Sequence, residues 1–136
     1  MIKLSDEKDI TLPTQWGAFN FRIGYIIIRN DCILLQYSST RDYWFVPGGR
    51  VSFGQDSRAS LVREVEEELG FTPQKFEKIM TVENFYSYVD TPIHEIAFYY
   101  RIDDSPLGDK LPTHEHDGSP ITLGWHKISE LSSLDV

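Results

Sequence analysis

GRVSFGQDSRASLVREVEEELGF, residues 49–71, is the stretch that decides how this chain reads. The turn Pro47-Gly48-Gly49 leads into it, and a loop then opens into a helix carrying Glu64, Glu67 and Glu68. Residues three and four apart share a helix face. The three carboxylates therefore converge within an arc of about 100° at 3.6 residues per turn. Leu61, Val65 and Leu69 form an adjacent apolar stripe at steps of four, the face that packs on a core. Glu66 points away from both, into solvent. Asp56 or Ser57 caps the start, and Gly70, which tolerates the left-handed conformation, stops the helix at Leu69.

An acidic helix edge by itself has two readings. Exposed like charges at these spacings cost only a few tenths of a kcal/mol, so a solvated face needs no metal. In a cleft the balance changes: at ~6 Å and an effective dielectric near 20, each pair repels by about 3 kcal/mol. A bound cation relieves that repulsion, and hard carboxylate oxygens suit Mg²⁺ or Mn²⁺.

The wider pattern chooses between them. Gly49, Arg63-Glu64-Val65, Glu67-Glu68 and Gly70-Phe71 closely resemble the Nudix box, G-x5-E-x7-R-E-U-x-E-E-x-G-U with U a bulky apolar residue. Eight of its nine fixed positions match over 23 residues, the exception being Gln55 where the first glutamate stands. An apolar strand pair and Trp44-Phe45-Val46-Pro47-Gly48 precede the box and further strands follow it, so the likeness covers nearly the whole chain. The resemblance implies an α/β fold, the Nudix-type α/β/α sandwich with a mixed central sheet, as one domain over residues 1–136. It also implies hydrolysis of the diphosphate linkage in a nucleoside diphosphate joined to another group, with a divalent cation as cofactor. Nucleoside triphosphates and dinucleoside polyphosphates are the favoured substrates.

The same resemblance assigns roles. Glu67 and Glu68 are the first metal ligands, the carbonyl of Gly48 is a further one, and Glu64 either ligates metal or takes the proton of water. Arg63 braces the loop against the helix through position 55. Glutamine there keeps a hydrogen bond but loses its charge-assisted part. Glu115, in the long loop before Trp125, is the first candidate for an additional acid, and Glu95, in a strand that could be surface, is the second. Arg22, Arg41 and Arg50 are candidates for phosphate contacts, Arg50 foremost because it follows the glycines. Trp16, Trp44, Phe85, Tyr86 and Tyr88 could stack on a base. Tyr88 lies 17 residues past Phe71, near where the resembling diadenosine polyphosphate hydrolases place a tyrosine. His94, His114 and His116 read as structural or solvated residues.

Composition is consistent with this. A chain of 136 residues supports one core. A formal charge of −8 offers no basic stripe to a nucleic-acid polymer, whereas a small nucleotide held through metal remains compatible. Cys32 is the single cysteine, which excludes an internal disulfide and reads as a small buried hydrophobe. Residues 1–9 do not resemble a secretory signal and no run spans a membrane, so a cytoplasmic protein is expected.

Strands are expected at 19–28, 32–37, 43–46, 76–89, 93–102 and 121–128, with turns at 29–31 and 90–92 and a polar loop over 103–120. Residues 129–136 leave room for two helical turns at most. Either the final helix is short or a second protomer covers that sheet face, and a homodimer is the expectation. Two other functions share the fold. A non-catalytic nucleotide-binding regulatory module usually loses box carboxylates that this chain keeps. A prenyl diphosphate isomerase needs a cysteine facing a glutamate, which Cys32 is badly placed to supply.

Overall fold

The computed structural model describes residues 8–133. Strands β1 (Thr11–Thr14), β2 (Gly17–Ile26), β3 (Ile28–Arg29), β4 (Cys32–Ser38), β5 (Tyr43–Phe45) and β6 (Gly48–Arg50) precede helix α1 (Ser57–Leu69). Strands β7 (Phe76–Tyr88), β8 (Thr91–Ile102) and β9 (Leu123–Lys127) follow, and a 3₁₀ turn spans Ile128–Ser133. β2 is the pivot of a five-stranded mixed sheet: it runs parallel to β8 on one edge and antiparallel to β1 and β6 on the other. β7 pairs with the far edge of β8. A four-stranded antiparallel sheet is built on β4, flanked by β3, β5 and β9.

Period-two alternation sends successive β2 side chains to opposite faces. Ile23 and Tyr25 face α1 and pack with Leu61, Val65, Leu69, Tyr100 and Ile102 in the larger core cluster. Full burial of aliphatic side chains such as Leu61 and Val65 contributes about 1.5–3 kcal/mol each. On the other face Ile26 joins Ile33 and Leu35, with Trp44, Val46, Tyr99 and Leu131 packed around them. The 3₁₀ turn thus places one leucine on this face; the end of the short final helix expected over 129–136, residues 134–136, lies outside the described residues.

Most strands fall where alternation puts them, with instructive differences. β1 and β6 lie outside the expected strands. Each has four residues or fewer and is held by pairing with β2, a long-range contact that no local pattern reports. Gly48 and Gly49, read as part of a turn, are ladder residues opposite Gly24 and Ile23. The last strand is Leu123–Lys127, shorter at both ends than expected. Cys32 is half-buried rather than buried, because it sits at the start of β4 beside Lys127 and Arg29.

The turn between β7 and β8 lies at Val89-Asp90, one residue before the place expected from Pro92. Pro92 stays within β8 opposite Ser87, beyond the end of the β2 pairing, where its missing N–H is not needed. Val89 and Asp90 both have positive φ, 48° and 62°, as a two-residue type I′ loop requires. Valine is poorly suited to that region, and Val89 is 80% exposed. Val89→Asn is expected to raise stability by roughly 0.5–1 kcal/mol in urea unfolding. A lower midpoint would show that the valine side chain contributes packing that outweighs its strain.

Candidate active site

Helix α1 begins and ends as the local sequence dictates. Asp56 accepts from the Ala59 N–H at 2.8 Å, and Gly70 closes the helix at φ 79°. The stripe of Leu61, Val65 and Leu69 is buried and pins the helix to the sheet, which fixes the depth of the acids beside it. Glu68, one residue before Leu69, is carried into the core and is 4% exposed. Glu64 is half-buried, Glu67 is exposed and Glu66 faces solvent.

Burial dominates the electrostatics of the two inner acids. It pushes the Glu64 carboxyl up to about 7, with repulsion from Glu67 adding and the Arg63 guanidinium opposing. It pushes Glu68 up to about 9, with Glu64 and Glu115 adding and the hydrogen bond from Tyr25 opposing. That bond, Tyr25 Oη donating to Glu68 Oε1 at 3.1 Å, comes from the centre of β2. Arg22 also lowers both acids, so its charge reaches them from β2. Two acids whose charged forms are undercompensated are a suitable donor set for a hard divalent cation.

The glycines are part of this cluster. A Cβ on Gly49 would collide with the Glu64 carboxylate, and one on Gly48 with the Ile23 carbonyl. The strand can therefore approach the acids only as bare backbone. Among the described residues, no three His, Cys, Asp or Glu side chains gather closely enough to hold a metal. Glu67 instead pairs with Arg63 at 3.7 Å, while Glu68 turns to Tyr25.

Arg63 joins the loop to the helix. It donates to Ser52 Oγ, to Gln55 Oε1 at 3.0 Å, to the Arg50 carbonyl at 3.1 Å and to Glu64 Oε1 at 3.2 Å. Gln55 is one of several acceptors and is exposed. Gln55→Glu is therefore expected to shift stability by less than about 1 kcal/mol and turnover less than threefold. A large gain in turnover would mean that position 55 acts on the chemistry itself.

The loop after β8 is ordered by two devices that the sequence did not announce. Arg29 clamps its first half, donating to Asp104 Oδ2 at 2.5 Å and to the carbonyls of Asp104, Leu107 and Gly108. Its second half docks on α1, where the His116 N–H donates to the Glu67 carbonyl at 2.7 Å. That bond satisfies one of the orphan carbonyls of the helix end. Glu115 is thereby held beside the helix acids, in a cavity of about 140 Å³ lined also by Glu67, Glu68, His114 and His116. Burial and the charges of Asp117 and Glu67 raise its carboxyl, against the Ser119 hydrogen bond.

The remaining candidates spread over the sheet. Arg22 donates to the Val46 carbonyl at 2.8 Å and lies over the Phe45 ring. Arg50 is exposed at the end of β6. Trp44 packs against Tyr37 and His126, which gives it a structural place. Tyr86 and Tyr88 line up under the Arg41 guanidinium, at 5.2 and 4.2 Å from their centroids. His94 pairs with Glu83 and stacks near Phe85. Trp16 and Phe85 are exposed, at 78% and 71%. Glu95 is not a surface residue: it is 6% exposed, because β8 lies between β2 and β7. Sequence reasoning missed Tyr25 and Asn20; a polar group within an otherwise apolar strand was the only signal available for either.

Comparison with known proteins bears on the family and the fold. The NUDIX domain is matched over residues 19–136. A Caenorhabditis elegans protein named as a nudix hydrolase is 30% identical over 127 residues, covering 86% of this chain and 31% of its own length. The chain thus spans about a third of that relative. The Bacillus subtilis protein YvcI, also named as a Nudix hydrolase, is 24% identical over 118 residues, covering 82% of this chain and 68% of its own. Among solved structures, a MutT protein from Bacillus halodurans superposes with a TM-score of 0.64 at 20% identity, covering 86% of this chain and 74% of that one. That last likeness concerns the fold.

Proposed function

Since this chain belongs to the Nudix family, its NUDIX domain spanning residues 19–136, we propose that it is a divalent-metal-dependent pyrophosphohydrolase acting on a nucleoside diphosphate joined to a further group. The observation that carries this reading is the pair of desolvated acids, half-buried Glu64 and buried Glu68, set against a glycine strand that bare backbone alone can form. Glu64, Glu67, Glu68 and the Gly48 carbonyl would hold Mg²⁺ or Mn²⁺, which supplies polarisation of phosphoryl oxygens and neutralises the leaving phosphate.

The protein groups then divide the work. Glu64, whose carboxyl lies near 7 without a cation, either ligates the metal or accepts the proton of water at neutral pH. Tyr25 orients Glu68, and Arg63 keeps the loop against the helix. Glu67 is the acid free to leave its arginine, since its pair at 3.7 Å is long and half-exposed. Arg22 and Arg50 lie on paired residues of β2 and β6 and would meet substrate phosphates beside the glycines. Glu115 adds a fourth carboxylate across the cleft.

The test is hydrolysis of a panel with Mg²⁺ or Mn²⁺: nucleoside triphosphates, dinucleoside polyphosphates, nucleotide sugars, ADP-ribose and NADH. Cleavage of any of them that chelator abolishes supports the enzyme. Binding without turnover across the whole panel would favour the regulatory module instead.

A further inference from the structure

Asn20 of β2 and Glu95 of β8 are register partners in the middle of the mixed sheet, 5% and 6% exposed. They lie on the face opposite α1, as do Asn84 and Tyr86 of β7. Glu95 accepts from Asn84 Nδ2 at 2.9 Å and from Tyr86 Oη at 3.1 Å. Tyr86 spends its one proton on Glu95, so it accepts from Asn20 Nδ2, at 3.3 Å. This fixes the Asn20 amide and turns its Oδ1 away from the tyrosine. That oxygen is buried and has no partner among the described residues. Glu95 likewise has no ion pair among them.

A buried carboxylate beside an orphan carbonyl oxygen is costly unless something completes it. The unfilled capacity here is acceptor capacity: both lone pairs of Asn20 Oδ1 and the remaining ones on Glu95. The completing group must therefore present neighbouring N–H donors. Among nucleobases the guanine edge does so, with N1–H beside the exocyclic amino group. Adenine and cytosine set one donor group beside an acceptor, and uracil flanks one donor with two acceptors.

Space and reach fit a nucleotide. The next same-face pair, Ala18 and Ile93, lies about 7 Å away along the strands. It lines, with Tyr86, one side of a cavity of about 540 Å³, whose other walls, Phe19 and Phe85, belong to the α1 face. On the Asn20 face it is Tyr86 and Tyr88 that offer rings for base stacking. In the other direction Gly24, the partner of Gly48, is four residues and about 13 Å from Asn20. An extended nucleoside triphosphate spans that distance, and Arg22 lies between on the same face.

We propose that Asn20 and Glu95 read the N1–H and amino edge of a guanine base, which makes guanine nucleotides the substrate class of this site. The inference rests on the nucleotide reading above and adds the base to it. The experiment is calorimetric titration of the full chain with GMP, IMP and AMP in the absence of metal, on the native protein and on Glu95→Gln. GMP should bind at least tenfold more tightly than IMP, which lacks the amino group, and than AMP. Glu95→Gln should weaken GMP at least tenfold and leave AMP within twofold.

Equal affinity for GMP and IMP, no GMP binding at millimolar concentration, or equal weakening of GMP and AMP in Glu95→Gln would each overturn the proposal. If Glu95→Gln does not fold, the GMP–IMP ratio on the native protein decides alone. Monophosphates carry no anhydride, so the outcome is independent of hydrolysis. Turnover without base preference would sink this inference and spare the hydrolase. Guanine selectivity without turnover would do the reverse.

Discussion

Glu68→Gln is expected to lower kcat by about 10²–10³-fold while making the metal-free protein more stable at alkaline pH. The two halves share one cause. The Glu68 carboxyl is 4% exposed and pushed up to about 9, mainly by burial, so ionising it in the fold is costly. Glutamine has nearly the same shape, still accepts from Tyr25 Oη and carries no charge to desolvate. Stability should therefore rise where Glu68 would have been forced to ionise. Activity should fall because the charge that offsets a cation is gone, and losses of this order are usual when a charged group acting on the transition state is removed. Steady-state kinetics with Mg²⁺ and thermal melts with chelator read the two effects separately. Full activity in Glu68→Gln would remove it from the machinery. Lost activity with a lower melting temperature would point to structural damage instead.

The second expectation concerns pH. Glu64 and Glu68 have folded values of about 7 and about 9, both above the ordinary glutamate value of 4.5. Between the unfolded and folded values the native state binds more protons than the unfolded chain, so stability falls as pH rises. Their favourable contribution is fully present below about 4.5 and is lost as pH climbs through 7 for Glu64 and 9 for Glu68. In chelator these two groups alone should lower the melting temperature by roughly 20–30 °C between pH 5 and pH 9. Mg²⁺ or Mn²⁺ should flatten the slope, with the largest gain at high pH, because deprotonated carboxylates are the form that binds. A melting temperature that is flat in chelator would show that the acids are better solvated than their burial implies. A metal-induced gain independent of pH would place the cation elsewhere.

Much of helix α1 was legible in the linear sequence because its determinants are local. The cap at Asp56, the stop at Gly70 and the buried stripe of Leu61, Val65 and Leu69 each follow from neighbours within one or two turns. The brace from Arg63 to Gln55 spans eight residues and was legible through the box pattern. Glu95 was not: a strand residue looks the same whether its strand is an edge or a centre. Its burial depends on β2 joining β8 across about 75 residues of chain, and on β7 closing the other side.

The amino-acid sequence by itself thus determined the helix, its acidic edge and the family, because periodicity and spacing are properties of adjacent residues. Tertiary structure alone decided which acids lose their water. It turned Glu68 inward against Tyr25, laid Gly49 on Glu64, held Glu115 over the helix end through Arg29 and His116, and left the Asn20 oxygen without a partner. Desolvation is set by what packs around a group from distant parts of the chain, and that packing raises the Glu64 and Glu68 carboxyls out of a row of otherwise ordinary acids.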